Sequence, residues 1–101
     1  MTYMMVPRDD RDFEWDQTKS DRNRVERGLP FNLAVALFDG PTLERSDDRL
    51  DYQEARVQAI GSAFGLILHT VYTDRGPVRR IISLRPANRR ERHAYRAAFQ
   101  N

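Results

Sequence analysis

Cysteine is absent from this 101-residue chain, which excludes disulfides and thiolate metal sites. Histidine occurs only as His69 and His93, and two isolated histidines argue against zinc, so no metal and no other cofactor is expected. Lysine occurs once, as Lys19. No run approaches the ~20 apolar residues of a membrane-spanning helix, and the start lacks the apolar stretch of a signal peptide. The chain is therefore expected to be soluble and cytoplasmic, with no membrane partner. There is no P-loop, HExxH, GxSxG or dinucleotide fingerprint, so nothing supports covalent or metal catalysis.

Arginine is what the chain has instead. From Arg75 to Asn101 eight arginines face a single acid, Glu91, giving a segment of charge +7. Residues 1–54 carry −5, so the net charge of +2 conceals two oppositely charged regions. GC-rich genomes favour arginine codons, so the placement of these residues is more informative than their number. A cationic surface of this density attracts polyanions through phosphate contacts and counterion release.

A chain of 101 residues forms one domain and buries roughly 65% of its unfolded surface, enough for a single core. Residues 1–12 read as an unstructured arm, with the charged run Arg8–Asp12 and little to bury. The domain then occupies residues 13–101. Phe13 and Trp15 flank Glu14 in a short opening strand. Asp16 can cap a polar helix over Gln17–Arg27, closed by Gly28. Phe31, Ala34, Val35 and Phe38 predict a second helix by their spacing. Strands follow at Thr42–Ser46, Ala55–Gly61, Leu66–Tyr72 and Val78–Leu84, with a charged loop, Asp47–Tyr52, between the first two. Asn88 and Glu91, three apart, form a capping box for a last helix. The expected fold is a compact α+β domain: an antiparallel sheet of about four to five strands, two N-terminal helices and a C-terminal helix.

Regular alternation over Val78–Arg85 puts Arg79, Ile81, Ser83 and Arg85 on one face and Arg80 on the other. Arginines at the ends of such a strand can grip a phosphate with paired hydrogen bonds, or can simply be solvated. Arg89, Arg90, Arg92 and Arg96 add a stripe on the last helix, and with Arg79 they are the candidate nucleic-acid contacts. His69, between Ile67 and Val71 on one strand face, reads as a satisfied core histidine. Tyr72 lies on the opposite face, near the strand's end, where its hydroxyl could reach solvent. Glu54 and Arg56 share a face and can pair.

In order, these motifs resemble the BrnT-type ribonuclease toxins. The resemblance runs from Phe13-Glu14-Trp15-Asp16, Lys19, Asn23, Gly28 and Phe31, through Asp47-Asp48-Arg49, Glu54-Ala55-Arg56 and Val71-Tyr72-Thr73. It is strongest in Arg80–Ala87 and in Arg89-Arg90-Glu91-Arg92 followed by Tyr95. It implies a RelE-like fold, metal-independent endonucleolytic cleavage of RNA, and neutralisation by a BrnA-type DNA-binding antitoxin. On that basis Arg80 and Arg85 are assigned to the scissile phosphate, with Arg49 and Lys19 as helpers, Tyr72 as proton donor and Glu54 as base. Glu26-Arg27 stands where the family commonly has Lys-His, and Arg27 cannot replace a histidine base near neutral pH. The same residues also fit a non-catalytic nucleic-acid-binding module, or a degenerate toxin kept as an interaction partner. A homo-oligomer is compatible with all three readings.

Overall fold

The computed structural model describes residues 2–49 and 53–99. Their elements run β1 (Met4–Val6), β2 (Asp12–Trp15), α1 (Gln17–Arg27), α2 (Asn32–Leu37), β3 (Thr42–Ser46), β4 (Val57–Ala63), β5 (Leu66–Arg75), β6 (Val78–Pro86) and α3 (Arg89–Phe99). The expected meander is present as β3 to β6, antiparallel throughout. The loop at Asp47–Tyr52 lies partly outside the described residues, at 50–52. No described helix is long and apolar enough to cross a membrane.

Two features correct the expected fold. The sheet is mixed and six-stranded, in the order β1-β3-β4-β5-β6-β2, because β2 pairs parallel to β6. Phe13 and Trp15 draw β2 there by packing on the core beneath α2. Residues 1–12 are also not a bare arm, since β1 pairs with β3 and supplies one edge of the sheet. The charged run is tied down as well: Arg11 bonds Asp9 at 2.9 Å, and Asp9 reaches Arg79 at 3.3 Å. Three residues with only Val6 half-buried show no periodicity, so the sequence pattern conceals the strand.

Polar bonds, more than apolar contacts, anchor α1, of which Ser20 alone is buried. Asp16 caps it through the Lys19 N–H at 3.0 Å, and Gly28 ends it at φ 71°. Asn23 Nδ2 donates to the carbonyls of Leu29 and Leu84, at 2.7 and 2.9 Å. Helix α2 lies tightly on the sheet, where a Cβ on Gly61 would come within 2.9 Å of Leu37 Cβ. This face holds Leu37, Phe38, Ala59, Leu68, Tyr72, Ile81 and Leu84. On the other face Tyr95 of α3 packs with Leu43, Ile60 and Ala87. The α3 cap is reciprocal: Asn88 N–H donates to Glu91 Oε1 and Glu91 N–H to Asn88 Oδ1, both at 2.8 Å.

One irregularity decides where the arginines go. Val71 opposes Ser83 while Tyr72 opposes Ile81, so Ile82 is an extra residue in β6, a β-bulge. Arg85 opposes His69 and Arg80 opposes Thr73, and these partners stand four apart on β5. The regular alternation expected for Val78–Arg85 therefore fails. Arg80 and Arg85 share the α3 face, while Arg79, opposite Asp74, belongs to the α2 face.

Candidate active site

The α3 face carries a groove of about 480 Å³ lined by Arg45, Ser46, Asp48, Arg49, Gln58, Arg85, Asn88 and Glu91. Beneath it runs a buried polar chain. Arg85 binds Glu91 through two parallel bonds of 2.8 and 3.0 Å. Glu91 Oε2 lies 3.8 Å from His69 Nε2, which meets Gln58 Oε1 at 3.2 Å. Gln58 Nε2 donates to Asp47 Oδ1 at 3.2 Å. Asp47 in turn accepts from Arg49 at 2.7 and 2.9 Å. The side chains of Asp47 and Glu91 are 0% and 7% exposed, whereas those of Arg49 and Arg85 are 61% and 32% exposed. Two buried carboxylates thus orient two partly exposed guanidiniums at the groove.

The electrostatics fit this division. The Arg49 bond, helped by Gln58, holds Asp47 down at about 2 despite burial. Burial opposes the charge on Glu91, but the Arg85 fork and the Asn88 N–H outweigh it and lower its pKa. Burial, and then repulsion from Arg85, push His69 down to about 4, against a weaker pull from Glu91. His69 is therefore neutral near pH 7 and cannot shuttle protons there. Its proton uptake favours the unfolded chain, so stability falls as pH drops from about 6.5 to about 4. Denaturant titrations across that range are expected to show this loss, and His69→Gln should flatten it.

Arg80 belongs to a second cluster on the same face. It pairs with Glu14 at 3.5 Å, Arg75 reaches Glu14 at 3.8 Å and Glu54 at 3.3 Å, and Glu54 meets Arg56 at 3.7 Å. Four residues of β5 separate the rows of Arg85 and Arg80, about 13 Å. The structure therefore joins Arg85 to Arg49, and Arg80 to Glu54, in two neighbouring clusters.

Other candidates lie elsewhere. Tyr72 is 4% exposed on the α2 face and donates to Glu44. Burial and then that carboxylate raise its pKa, and it packs in the core on the sheet face opposite the groove. Arg79 is also an internal residue. Its side chain is 4% exposed, forked onto Asp74 at 2.8 and 3.0 Å and stacked 3.8 Å from the Tyr72 ring centroid. Lys19 is exposed on the first turn of α1, and no described contact links it to either cluster. Arg89, Arg90 and Arg96 are exposed on α3, while Arg92 is half-buried and donates to the Ala87 carbonyl at 2.7 Å. Arg27 ends α1 one turn beyond Asn23, which bonds β6 beside Arg85.

Reading along the strands missed Asp47, Gln58 and Glu91 as parts of the site. Their only signal was an acid or amide standing among arginines, and it takes the sheet to bring them together. Among the described residues, no three His, Cys, Asp or Glu side chains group as a metal-ligand set.

Fold and groove define a class: a small α+β domain with a groove lined by partly exposed arginines. Residues 15–91 match the family described as the ribonuclease toxin, BrnT, of type II toxin–antitoxin systems, and the chain belongs to that family. No curated protein matches it.

Proposed function

We propose that this chain is an endoribonuclease toxin that cleaves RNA without a metal, using arginine to stabilise the scissile phosphate. The observation that carries the reading is the pair Arg49 and Arg85, each forked onto a buried carboxylate and each lining one groove. RNA supplies its own nucleophile. The 2′-hydroxyl attacks the adjacent phosphorus, the bond to the 5′-oxygen breaks, and a cyclic phosphate and a 5′-hydroxyl result. The negative charge that builds on the phosphate during this step is met by donors fixed beforehand, which is where such sites gain most of their rate. Arg80 then holds the strand a few nucleotides away. Glu54 lies in the Arg80 cluster, between Arg56 and Arg75 and out of reach of the scissile phosphate, so the 2′-hydroxyl proton passes to solvent water and the departing 5′-oxygen takes a proton from water. Purified protein is expected to cleave RNA at an unchanged rate in excess EDTA and to leave cyclic phosphate ends. Cleavage abolished by EDTA and restored by a divalent ion would overturn the mechanism.

A toxin of this kind is silenced by covering its cationic face. We assign that role to a BrnA-type antitoxin, a DNA-binding dimer with an acidic stretch lying along α3. Charge complementarity then sets the speed of association. Reversing Arg89, Arg90 and Arg96 to glutamate is expected to slow association at low salt by tenfold or more, read by stopped-flow fluorescence. Unchanged kinetics would place the antitoxin on another face.

A further inference from the structure

The phosphate groove continues past Arg45 into a smaller cavity of about 310 Å³, lined by Tyr3, Arg45, Asn88, Arg90, Glu91 and Ala94. The two cavities share Arg45, Asn88 and Glu91. The Arg45 guanidinium lies over the Tyr3 ring, 4.5 Å from its centroid, and its edge donates to Gln58 Oε1 at 3.5 Å. A planar cation held in this way on a half-buried aromatic ring is a ready platform for stacking a nucleobase. The polar lining is one-sided. Glu91 Oε1 accepts from Asn88 N–H and Arg85, Oε2 accepts from Arg85, and Asn88 Oδ1 accepts from Glu91 N–H. Donors remain: Asn88 Nδ2 and the exposed Arg90 make no hydrogen bond to other described side chains. Such a lining suits a base edge made of acceptors, and O6 and N7 of guanine take two parallel bonds from one guanidinium.

We infer that this cavity is a base-recognition subsite that selects guanine beside the phosphate held by Arg49 and Arg85. It rests on the reading of the groove as an RNA site and adds a specificity to it. Tyr3, which stiffens the platform, lies outside the family-matched residues 15–91 and is delivered by the paired edge strand β1.

The test uses 2′-O-methyl uridine pentamers, which cannot be cleaved, with G, A, C or U at the centre. Binding is read by fluorescence anisotropy. The G pentamer is expected to bind the intact protein about tenfold more tightly than the C and U pentamers. Arg45→Lys keeps the charge but not the plane, and Tyr3→Leu keeps the packing but not the ring. Each should reduce the preference to about twofold or less, while Tyr3→Phe retains it. Arg85→Lys should weaken all four pentamers alike and leave their ranking intact. Equal binding of the four by the intact protein would overturn the subsite, as would an undiminished preference in folded Arg45→Lys and Tyr3→Leu. A guanine preference without cleavage of ordinary RNA would overturn the enzymatic reading and leave the subsite standing.

Discussion

Arg85→Lys is expected to lower RNA cleavage by about a hundredfold or more, with only a small change in melting temperature. Lysine still offers a cation to Glu91, which is 7% exposed and would otherwise remain as a buried, uncompensated carboxylate. It cannot present two parallel N–H bonds to Glu91 and a further N–H to phosphate. Losing one fixed donor to a developing oxyanion costs about 2.7–4 kcal/mol of transition-state stabilisation, which sets the expected rate effect. Arg49→Lys should act in the same direction and more weakly, because Arg49 is 61% exposed and more fully screened. Arg80→Ala should mainly raise KM, since that residue lies about 13 Å along the sheet from the Arg85 row. Single-turnover and steady-state rates on one RNA separate these effects. A folded Arg85→Lys protein that cleaves at the original rate would remove the groove from the mechanism.

The second large effect concerns stability. Arg79→Ala is expected to cost about 3 kcal/mol of folding free energy and to leave specific RNA contacts untouched. Removing this guanidinium leaves Arg11 as the remaining cation for Asp74 and Asp9, at 3.5 and 2.9 Å, and opens a cavity against Tyr72 and Phe38. Asp74 and Asp9 are each about a third exposed, so the cost falls at the lower end of the range for broken buried pairs. Arg79→Met should recover part of it by filling the space. Guanidinium denaturation at neutral pH measures both. An Arg79→Ala protein of undiminished stability that binds RNA less tightly would return the residue to the nucleic-acid surface.

Much of the fold was legible because local chemistry and tertiary packing agree. Asp16 and Gly28 bound α1 as their cap chemistry predicts, the Asn88–Glu91 spacing marks the start of α3, and the strong apolar run at Leu66–Tyr72 lies within the long central strand. His69 was legible as buried, from Ile67 and Val71 on its face, though one of its nitrogens, Nδ1, has no hydrogen-bond partner among the described residues. The edge strand β1 was not legible. Its exposed methionines carry no alternation, and only the free edge of β3 makes them a strand.

By itself, then, the sequence determined the helix ends, the meander, the concentration of arginine in the last quarter and the likeness to the toxin family, because each is written in neighbouring residues. The division of labour among the arginines was decided only by tertiary structure. A single bulged residue, Ile82, brings Arg80 to the same face as Arg85, while Arg79 turns into the core and becomes internal. Neither Asp47 nor Glu91 is close in sequence to the partners through which the buried chain passes, Gln58 and His69. Charge marked the arginines as a group, but a guanidinium's role depends on which carboxylate the folded chain places behind it, and that is a long-range property.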